Sequence, residues 1–383
     1  MKYRDLTRQY AALKSRIDEA MRATCEEASF IGGRRVVELE AELADYCGVK
    51  HCLTCANGTD ALQLALMAWG VGPGDAVFVP DFTFFASGEV VPVVGAVPVF
   101  VDVNPLTFNL DASSLEGAVK HVLEETDLVP KACVAVDLYG LPADYQAIRQ
   151  VCERYGLRLL EDGAQGFGGS IGGKRACSFG DISTTSFFPG KPLGCYGDGG
   201  AVFTDNDEWD ILMRSLAVHG KGATKYDNVR IGMNSRLDAL QAAILEVKLD
   251  AFKSYELEAV DRAARRYSEV LCGIDCVLPQ VPEGFSSSWG VYTVQLPVGV
   301  DRDRLQTHLK DAGVPTMVYY PKPMHEQKAF EDAHLCPNGC PETERLCGTV
   351  LSLPMGPYLH EEEIEVVATR LFDLLADAGA SLD

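Results

Sequence analysis

The sequence predicts an α/β protein: a mostly parallel mixed sheet sandwiched by helices, with a smaller α+β domain towards the C-terminus. Short apolar runs alternate with segments whose apolar residues recur at helical spacing, as in chains that form parallel sheets. Within the runs, consecutive positions are apolar, as expected of strands that are buried on both faces. A length of 383 residues is enough for two domains.

The predicted elements follow in chain order. A helix over residues 6–28 is broken by residues 29–33, and a second helix carries Val37, Leu39, Leu43 and Tyr46. Strands are predicted over residues 51–56, 76–80, 97–103, 133–139, 157–160, 182–188 and 201–204, and helices over residues 60–69 and 145–155.

A long helical pattern from residue 237 to about residue 271 is predicted to contain the hinge between the two domains. We therefore expect a large domain at residues 1–245 and a small one at residues 246–383. In the small domain, residues 289–296 and 316–320 are predicted as strands and residues 361–378 as a closing helix.

The charge and hydropathy of the chain exclude some classes of function. A net charge of −21 argues against a nucleic-acid binder, because the phosphate backbone needs a basic face. It still allows a small anionic ligand, which local arginines and helix N-termini can bind. No apolar run reaches the roughly 18 residues that span a membrane, and residues 1–5 lack the apolar core of a signal peptide. The expected location is the cytoplasm.

Thirteen cysteines are scattered through the chain, as in cytosolic proteins with reduced thiols. Cys52 and Cys55 have the spacing of a metal or redox pair, and Cys336 and Cys340 have a related spacing. A zinc site would need the two pairs to converge, or regularly spaced histidines. We expect buried thiols and no bound metal.

Lys191 lies between an apolar run and a glycine-rich turn, within residues 186–200. A solvated lysine has a pKa of about 10.4 and is a poor nucleophile near neutral pH. Packed beside aromatic and small residues, its amine could form a Schiff base. A surface lysine in a hairpin loop explains this segment equally well.

Several other features fall at predicted strand ends, where open α/β sheets place their ligands. Gly58 and Thr59 begin a helix whose free N–H groups could attract phosphate. An ordinary N-cap by Asn57 or Thr59 explains the same residues. Ser186 could reach a phosphate with its hydroxyl group.

An acidic pair and an aromatic cluster also follow predicted strands. Asp162, next to Glu161, could hold a proton on a heterocyclic nitrogen, and Gln165 could donate to a nearby oxygen. A loop of solvated acids explains these residues equally well. Phe84, within residues 81–87, could stack on a flat cofactor, although such aromatics more often belong to the core.

Together these groups match the needs of pyridoxal phosphate (PLP). Its aldehyde forms a Schiff base with a lysine, and an aspartate keeps its ring nitrogen protonated so that the ring acts as an electron sink. A phosphate cradle, an aromatic ring and an amide complete the set. The agreement of all the features favours a PLP site more strongly than any single motif does.

The chain resembles the DegT/StrS family of nucleotide-sugar aminotransferases, which are fold-type I PLP enzymes. The resemblance covers nearly the whole chain and is strongest in residues 55–62, 161–165, 186–200 and 234–243. Within this family, the chain is most similar to members that aminate C3 of UDP-2-acetamido-2-deoxy-ribo-hexuluronate. Two positions depart from their pattern: Val218 replaces an arginine that helps to bind the carboxylate, and Tyr319 replaces a histidine.

The resemblance implies a role for each matching residue. Lys191 would be the catalytic residue, which binds the cofactor and carries the proton. The implied cofactor contacts are Gly58, Thr59 and Ser186 at the phosphate, Phe84 on the ring face, Asp162 at the ring nitrogen, Gln165 at the ring hydroxyl and, from the partner subunit of a homodimer, Asn234. The implied substrate contacts are Phe30, Arg236, Tyr319 and His325. An intramolecular salt bridge is an equally good explanation of Arg236.

The predicted function is the PLP-dependent transfer of an amino group from L-glutamate to a nucleotide-linked keto sugar, UDP-linked and aminated at C3, for bacterial surface polysaccharides. Another fold-type I enzyme, such as a cysteine desulfurase or an amino-acid lyase, is one alternative. A non-catalytic regulator that keeps the fold is another. A sugar 3-dehydratase would have histidine in place of Lys191.

Overall fold

The computed structural model describes residues 1–224, 226–331 and 333–379. Its centre is an eight-stranded sheet in which only β9 runs antiparallel to its neighbours among the described strands. In spatial order the strands are β1 (His51–Cys55), β9 (Gly200–Thr204), β8 (Ile182–Ser186), β5 (Arg158–Asp162), β4 (Val129–Val136), β2 (Asp75–Pro80), β3 (Val97–Val101) and β12 (His334–Leu335). The predicted mostly parallel mixed sheet is confirmed.

Helices cover both faces of this sheet: α3 (Gly58–Ala68), α4 (Phe85–Val93), α5 (Ala112–Glu125), α6 (Tyr145–Tyr155) and α7 (Asp207–Leu216). Val77 and Val79 of β2 belong to one buried cluster, whereas Ala76 and Phe78 belong to another. Successive side chains of a strand point to opposite faces, so both faces of β2 are buried. This explains why the strand is apolar at consecutive positions.

The N-terminal helices pack against a long helix that follows the sheet. These elements are α1 (Leu6–Glu27), α2 (Arg34–Cys47), α8 (Ala239–Ala251), the π-helical turn Phe252–Glu256 and α9 (Leu257–Val270). Leu13 and Ile17 of α1 are buried with Ile244 and Val247 of α8. The helical pattern predicted from residue 237 to about residue 271 is confirmed, with a π turn inside it. No helix in the described ranges is both long enough and apolar enough to cross a membrane.

The C-terminal part has a buried cluster of its own, which includes Tyr267, Tyr292 and Leu309. Its elements are β10 (Phe285–Ser286), β11 (Tyr292–Gln295), α10 (Arg302–Asp311), α11 (Pro341–Thr349), β13 (Val350–Leu353) and α12 (Glu361–Gly379). β11 pairs with β13, and β10 pairs with the short strand β6 (Ser170–Ile171), which pairs with β7 (Lys174–Arg175). By sequence β12 belongs to the predicted small domain, yet it joins the central sheet of the large one. The domain boundary at residue 245 therefore stays a prediction.

Some predicted elements differ from the structure. The strand predicted over residues 316–320 is wrong, because that segment makes only one isolated bridge, from Met317 to Ser352. β4 ends at Val136 instead of residue 139, since Tyr139 takes a left-handed φ of 59° in a short turn. Helix α4, which was not predicted, is mainly apolar around its circumference, apart from Ser87 and Glu89, and so shows little of the helical period that sequence patterns reveal.

Candidate active site

Lys191 lies in a tight loop that follows β8. Its N–H donates to the carbonyl of Phe188 at 2.8 Å, and the N–H of Cys195 donates to the carbonyl of Phe187 at 2.8 Å. A Cβ at Gly194 would lie 2.5 Å from the carbonyl oxygen of Phe188, so only glycine fits there. The loop therefore fixes the point from which the lysine side chain extends.

The amine of Lys191 lies in a partly buried environment, with Nζ 6.0 Å from the centroid of the Phe84 ring. Burial lowers the pKa of Lys191, the attraction of Asp162 opposes this shift, and the charge of Arg4 adds to it. A lowered pKa leaves more of the amine neutral, which is the form that attacks a carbonyl carbon. These surroundings differ from those of a solvated lysine in a surface loop.

Asp162 is the last residue of β5, and its carboxylate is held from two directions. Oδ2 accepts a hydrogen bond from the hydroxyl of Ser87 at 2.7 Å, and Oδ1 accepts one from the N–H of Ala164 at 3.1 Å. The hydroxyl of Thr83 lies 3.1 Å from that of Ser87. With both oxygens bonded, the carboxylate has a fixed orientation close to Lys191.

Glu161 has a different role from its neighbour, because adjacent residues of a strand face opposite sides of the sheet. Its carboxylate accepts hydrogen bonds from the N–H groups of Cys177 and Phe179 and from the hydroxyl of Ser183 at 2.7 Å. Burial raises the pKa of Glu161. Glu161 and Asp162 are only 0% and 4% exposed, so the alternative of a solvated acidic loop is wrong.

The N-terminus of α3 meets the end of β8. Asn57 caps the helix by accepting from the N–H of Asp60 at 2.8 Å, so the predicted N-cap is present. The N–H groups of Gly58 and Thr59 precede the first intrahelical bond and can serve a ligand. A Cβ at Gly58 would lie 2.8 Å from Cβ of Ser186. Glycine therefore lets two free N–H groups and a hydroxyl come together.

Phe84 and Gln165 meet through Tyr320. The ring centroids of Phe84 and Tyr320 are 6.2 Å apart, and Nε2 of Gln165 donates to the hydroxyl of Tyr320 at 3.1 Å. The amide oxygen of Gln165 accepts from the N–H of Tyr139 at 2.9 Å. Phe84 is 52% exposed, unlike a core aromatic, so part of its ring is open to a ligand.

Phe30, Asn234 and Arg236 lie on the surface. Phe30 is 46% exposed, and its carbonyl accepts from the N–H of Ala239 at the start of α8 at 2.9 Å. Arg236 donates to Oδ1 of Asn234 at 2.6 Å, so its bonded partner is an amide and not the carboxylate of a salt bridge. Both side chains are exposed. Their cofactor and substrate contacts stay predictions.

Tyr319 and His325 lie in the same segment as Tyr320, between α10 and β12. The ring of Tyr319 lies edge-on to that of Tyr3, with centroids 6.2 Å apart. The N–H of His325 donates to Asp81 at 2.9 Å, and its Nδ1 lies 2.6 Å from the other carboxylate oxygen. An acid at the end of β2 thus holds His325, and its contact with a substrate stays a prediction.

Asp81, His325 and Cys340 bring their ligand atoms within 4.8 Å of one another. Such a group could hold a metal ion, which the sequence does not predict, although the hydrogen bond between His325 and Asp81 already satisfies two of the three. The two cysteine pairs do not converge: one lies in β1 and the other follows β12, at opposite edges of the sheet. All thirteen cysteines, each within the described ranges, are free thiols.

Three residues of this site are not singled out by the sequence: Ser87, Tyr320 and Arg4. Ser87 and Tyr320 fall inside segments already chosen for other residues, so a wider view of those motifs could have found them. Arg4 donates to the carbonyl of Lys191 at 3.0 Å across 187 positions, and no local pattern indicates that contact.

The model of the DegT/DnrJ/EryC1/StrS aminotransferase family matches residues 11–372. A UDP-2-acetamido-2-deoxy-3-oxo-D-glucuronate aminotransferase from Pseudomonas aeruginosa is 43% identical to this chain, over 96% of this chain and 98% of its own. A UDP-N-acetyl-3-dehydro-alpha-D-glucosamine 3-aminotransferase from Acidithiobacillus ferrooxidans is 43% identical, over 95% of each chain.

Solved structures show the same architecture. A DegT DnrJ EryC1 StrS aminotransferase from Brucella abortus superimposes with a TM-score of 0.95 at 46% identity, covering 98% of this chain and 99% of its own. NtdA from Bacillus subtilis, solved with its cofactor PMP bound, has a TM-score of 0.85 at 31% identity, covering 95% of this chain and 82% of its own.

Proposed function

Because the chain belongs to the DegT/DnrJ/EryC1/StrS aminotransferase family, we propose that it is a PLP-dependent enzyme that transfers the amino group of L-glutamate to C3 of a UDP-linked keto sugar. The product would enter bacterial surface polysaccharides, and the reaction would take place in the cytoplasm. The observation that carries this proposal is the partly buried amine of Lys191 beside the fixed carboxylate of Asp162.

The described residues fit PLP. Gly58, Thr59 and Ser186 would hold its phosphate, at a place that a side chain on residue 58 would fill. Asp162 would bind the protonated ring nitrogen, since both of its oxygens are already oriented. Phe84 offers an exposed ring face, and Lys191 offers an amine with a lowered pKa.

When bound, PLP supplies an electron sink for the negative charge that develops on the carbon losing its proton. Nζ of Lys191 takes the proton from the amino-bearing carbon of the donor, and in the second half-reaction it delivers a proton to C3 of the sugar. Burial favours the neutral amine and so suits it to the first of these transfers. Gln165, held by Tyr139 and Tyr320, would orient the cofactor ring at its hydroxyl.

The names of two relatives support the choice of sugar. Each names a UDP-linked sugar with a 3-oxo or 3-dehydro group, and only the glucuronate carries a sugar carboxylate. We assign Phe30, Arg236, Tyr319 and His325 to substrate binding. The exposed guanidinium of Arg236 could pair with an acidic group of the substrate by two parallel hydrogen bonds.

We infer a homodimer that shares its active sites. Large apolar side chains are exposed on and near the Lys191 loop, with Phe84 at 52% and Phe188 at 55%, and Ile231 near Asn234 is 89% exposed. Contiguous exposed apolar surface is typical of protein interfaces. Asn234 of one subunit would then reach the cofactor phosphate of the other.

Subunit exchange tests the shared sites. Lys191→Ala and Asn234→Ala should each be inactive alone, whereas a mixture should recover part of the activity because each heterodimer keeps one intact site. A mixture that stays inactive after proven exchange, or a monomer by light scattering, would contradict the shared site.

Spectroscopy tests the function itself. Protein incubated with PLP should show the absorbance of lysine-bound cofactor, L-glutamate should bleach it, and a UDP-linked 3-keto sugar should restore it. Borohydride reduction should then place the cofactor mass on Lys191. Lys191→Ala should lose the band, whereas the exposed control Lys120→Ala should keep it. A protein that takes up no PLP, or whose bound PLP is unchanged by glutamate and other amino acids, would refute the proposal.

A further inference from the structure

Arg4 is a cation beside the active-site lysine whose bonded partners are neutral. One guanidinium nitrogen donates to the carbonyl oxygen of Lys191 at 3.0 Å, and another donates to the carbonyl oxygen of Gly290 at 3.3 Å. Within the described residues these are its hydrogen bonds, and it has no ion pair. Two of its five N–H groups are thus in use, and three remain for a ligand.

The charge of Arg4 is poorly compensated. Burial lowers the pKa of Arg4, whereas Tyr3 and Glu256 raise it from a distance. Glu256 is already engaged, because its carboxylate accepts from Gln9 at 3.0 Å and from Tyr358 at 2.7 Å. Arg4 is half-buried, and a partly desolvated cation without a close anion is costly, so such a group is usually completed by a partner of opposite charge.

Arg8 provides a comparison within the same segment. It lies one turn along the chain, and two of its nitrogens donate to the carboxylate of Glu363 at 2.6 and 2.9 Å. An arginine in this region can therefore have a carboxylate partner in two-point geometry. Arg4 has the same donor set without such a partner in the described part of the chain.

Arg4 adjoins the active site through its bond to the backbone of Lys191. Its positive charge contributes to the lowered pKa of Lys191, and it opposes the burial that raises the pKa of Tyr319. Tyr319 belongs to the segment that packs against the site from the C-terminal part, while Lys191 belongs to the loop after β8. The guanidinium therefore bonds the backbone of the Lys191 loop and lies close enough to Tyr319 to affect its pKa.

We propose that Arg4 binds a carboxylate group of a substrate in the Lys191 site. The planar guanidinium matches a carboxylate by two parallel hydrogen bonds, and the low dielectric of a buried site strengthens them. This inference rests on the proposed aminotransferase function, which offers two sources of a carboxylate: the amino donor, and an acidic sugar.

Calorimetry with unreactive ligands separates these sources. The PLP-loaded protein is titrated with glutarate against glutaramide, and with UDP-glucuronic acid against UDP-glucose, so that each pair differs in its carboxylates. If Arg4 binds the donor, Arg4→Gln should weaken the binding of glutarate about 10- to 100-fold and leave the affinity for UDP-glucuronic acid unchanged. If Arg4 binds the sugar acid, the loss should fall on UDP-glucuronic acid alone.

Two further variants keep the test decisive. Arg8→Gln is the same substitution in the same segment and should leave all four affinities unchanged. Arg4→Lys keeps the charge without the planar fork, so it should lose less affinity than Arg4→Gln, and it replaces Arg4→Gln if that protein does not fold.

Two results would overturn the inference. In one, Arg4→Gln weakens the binding of the acidic and the neutral ligand of a pair equally, which indicates that Arg4 only anchors the N-terminal segment. In the other, no affinity changes. Since binding of these ligands involves no turnover, the result is independent of the glutamate test above. If glutamate bleaches the PLP absorbance but Arg4→Gln changes none of the ligand affinities, the proposed function stands and this inference is refuted.

Discussion

The hydroxyl of Ser87 donates a 2.7 Å hydrogen bond to the carboxylate of Asp162, although the two residues are 75 positions apart. Ser87 lies on α4 and Asp162 at the end of β5, so the bond joins a helix to the end of a strand that is distant from it in sequence. Both residues are buried. Ser87 thus acts through Asp162, whose orientation it fixes.

Ser87→Ala should raise the dissociation constant for PLP about 10- to 100-fold, because a hydrogen bond to a charged group contributes about 1.5–3 kcal/mol. An absorbance titration measures it. Ser113→Ala, which removes a bond to Asp111 on the exposed end of α5, is the matched control. Equal PLP affinities for Ser87→Ala and the native protein would show that Asp162 does not need this support.

Gly58→Ala should impair both folding and phosphate binding. Its Cβ would meet Cβ of Ser186 at 2.8 Å, and overpacking of this kind costs about 1–3 kcal/mol. Thermal unfolding and PLP titration check the two effects. Adding Ser186→Gly should restore stability but not PLP affinity. Gly117→Ala in helix α5 is the control, since its Cβ would meet no atom within 4 Å. This substitution should stabilise the protein slightly.

Lys248→Met should stabilise the protein at neutral pH. Burial lowers the pKa of Lys248 to about 8, so below pH 8 the folded chain holds a buried charge. That shift in pKa means that the charged side chain destabilises the folded protein by about 3 kcal/mol relative to the neutral one. Between pH 8 and 10.5 the unfolded chain keeps its proton while the folded chain does not, so rising pH stabilises the native protein.

The gain from Lys248→Met in the free energy of unfolding should therefore shrink between pH 8 and 10.5. Denaturant unfolding at several pH values measures it. Lys253→Met, at an exposed position in the π turn, should show no such trend. A gain that is independent of pH would mean that the amine is not the cause.

Asp137→Asn should gain stability over the native protein as pH rises above about 4. Burial, together with the nearby charge of Glu161, raises the pKa of Asp137 well above its usual range. The native carboxyl group therefore keeps its proton where the unfolded one ionises, and rising pH favours unfolding. An asparagine removes this slope while keeping an oxygen for Tyr145, whose hydroxyl lies 2.7 Å away.

Unfolding free energies of Asp137→Asn and the native protein at pH 5 and pH 8 check this sign. The exposed variant Asp127→Asn serves as the control. A loss of stability of Asp137→Asn relative to the native protein between pH 5 and pH 8 would contradict the assigned protonation state.

Much of the sheet could be predicted because strand burial leaves a local pattern. β2 is apolar at consecutive positions since both of its faces are covered, and the helical period continues through α8 and α9. The segment over residues 316–320 has the residue composition of a strand. It runs along the active site and makes only one isolated bridge instead of pairing along a neighbouring strand. Composition alone could not reveal this difference.

By itself, the sequence determined which residue types stand at the strand ends: Lys191, Asp162, Phe84 and the turn at Gly58. The tertiary structure decided that Asp162 and not Glu161 is near the lysine, and that Ser87 orients it. It also decided that Arg4 reaches the carbonyl of Lys191. The physical reason is that local periods encode which face of an element is buried, whereas contacts between distant residues depend on how all the elements pack together.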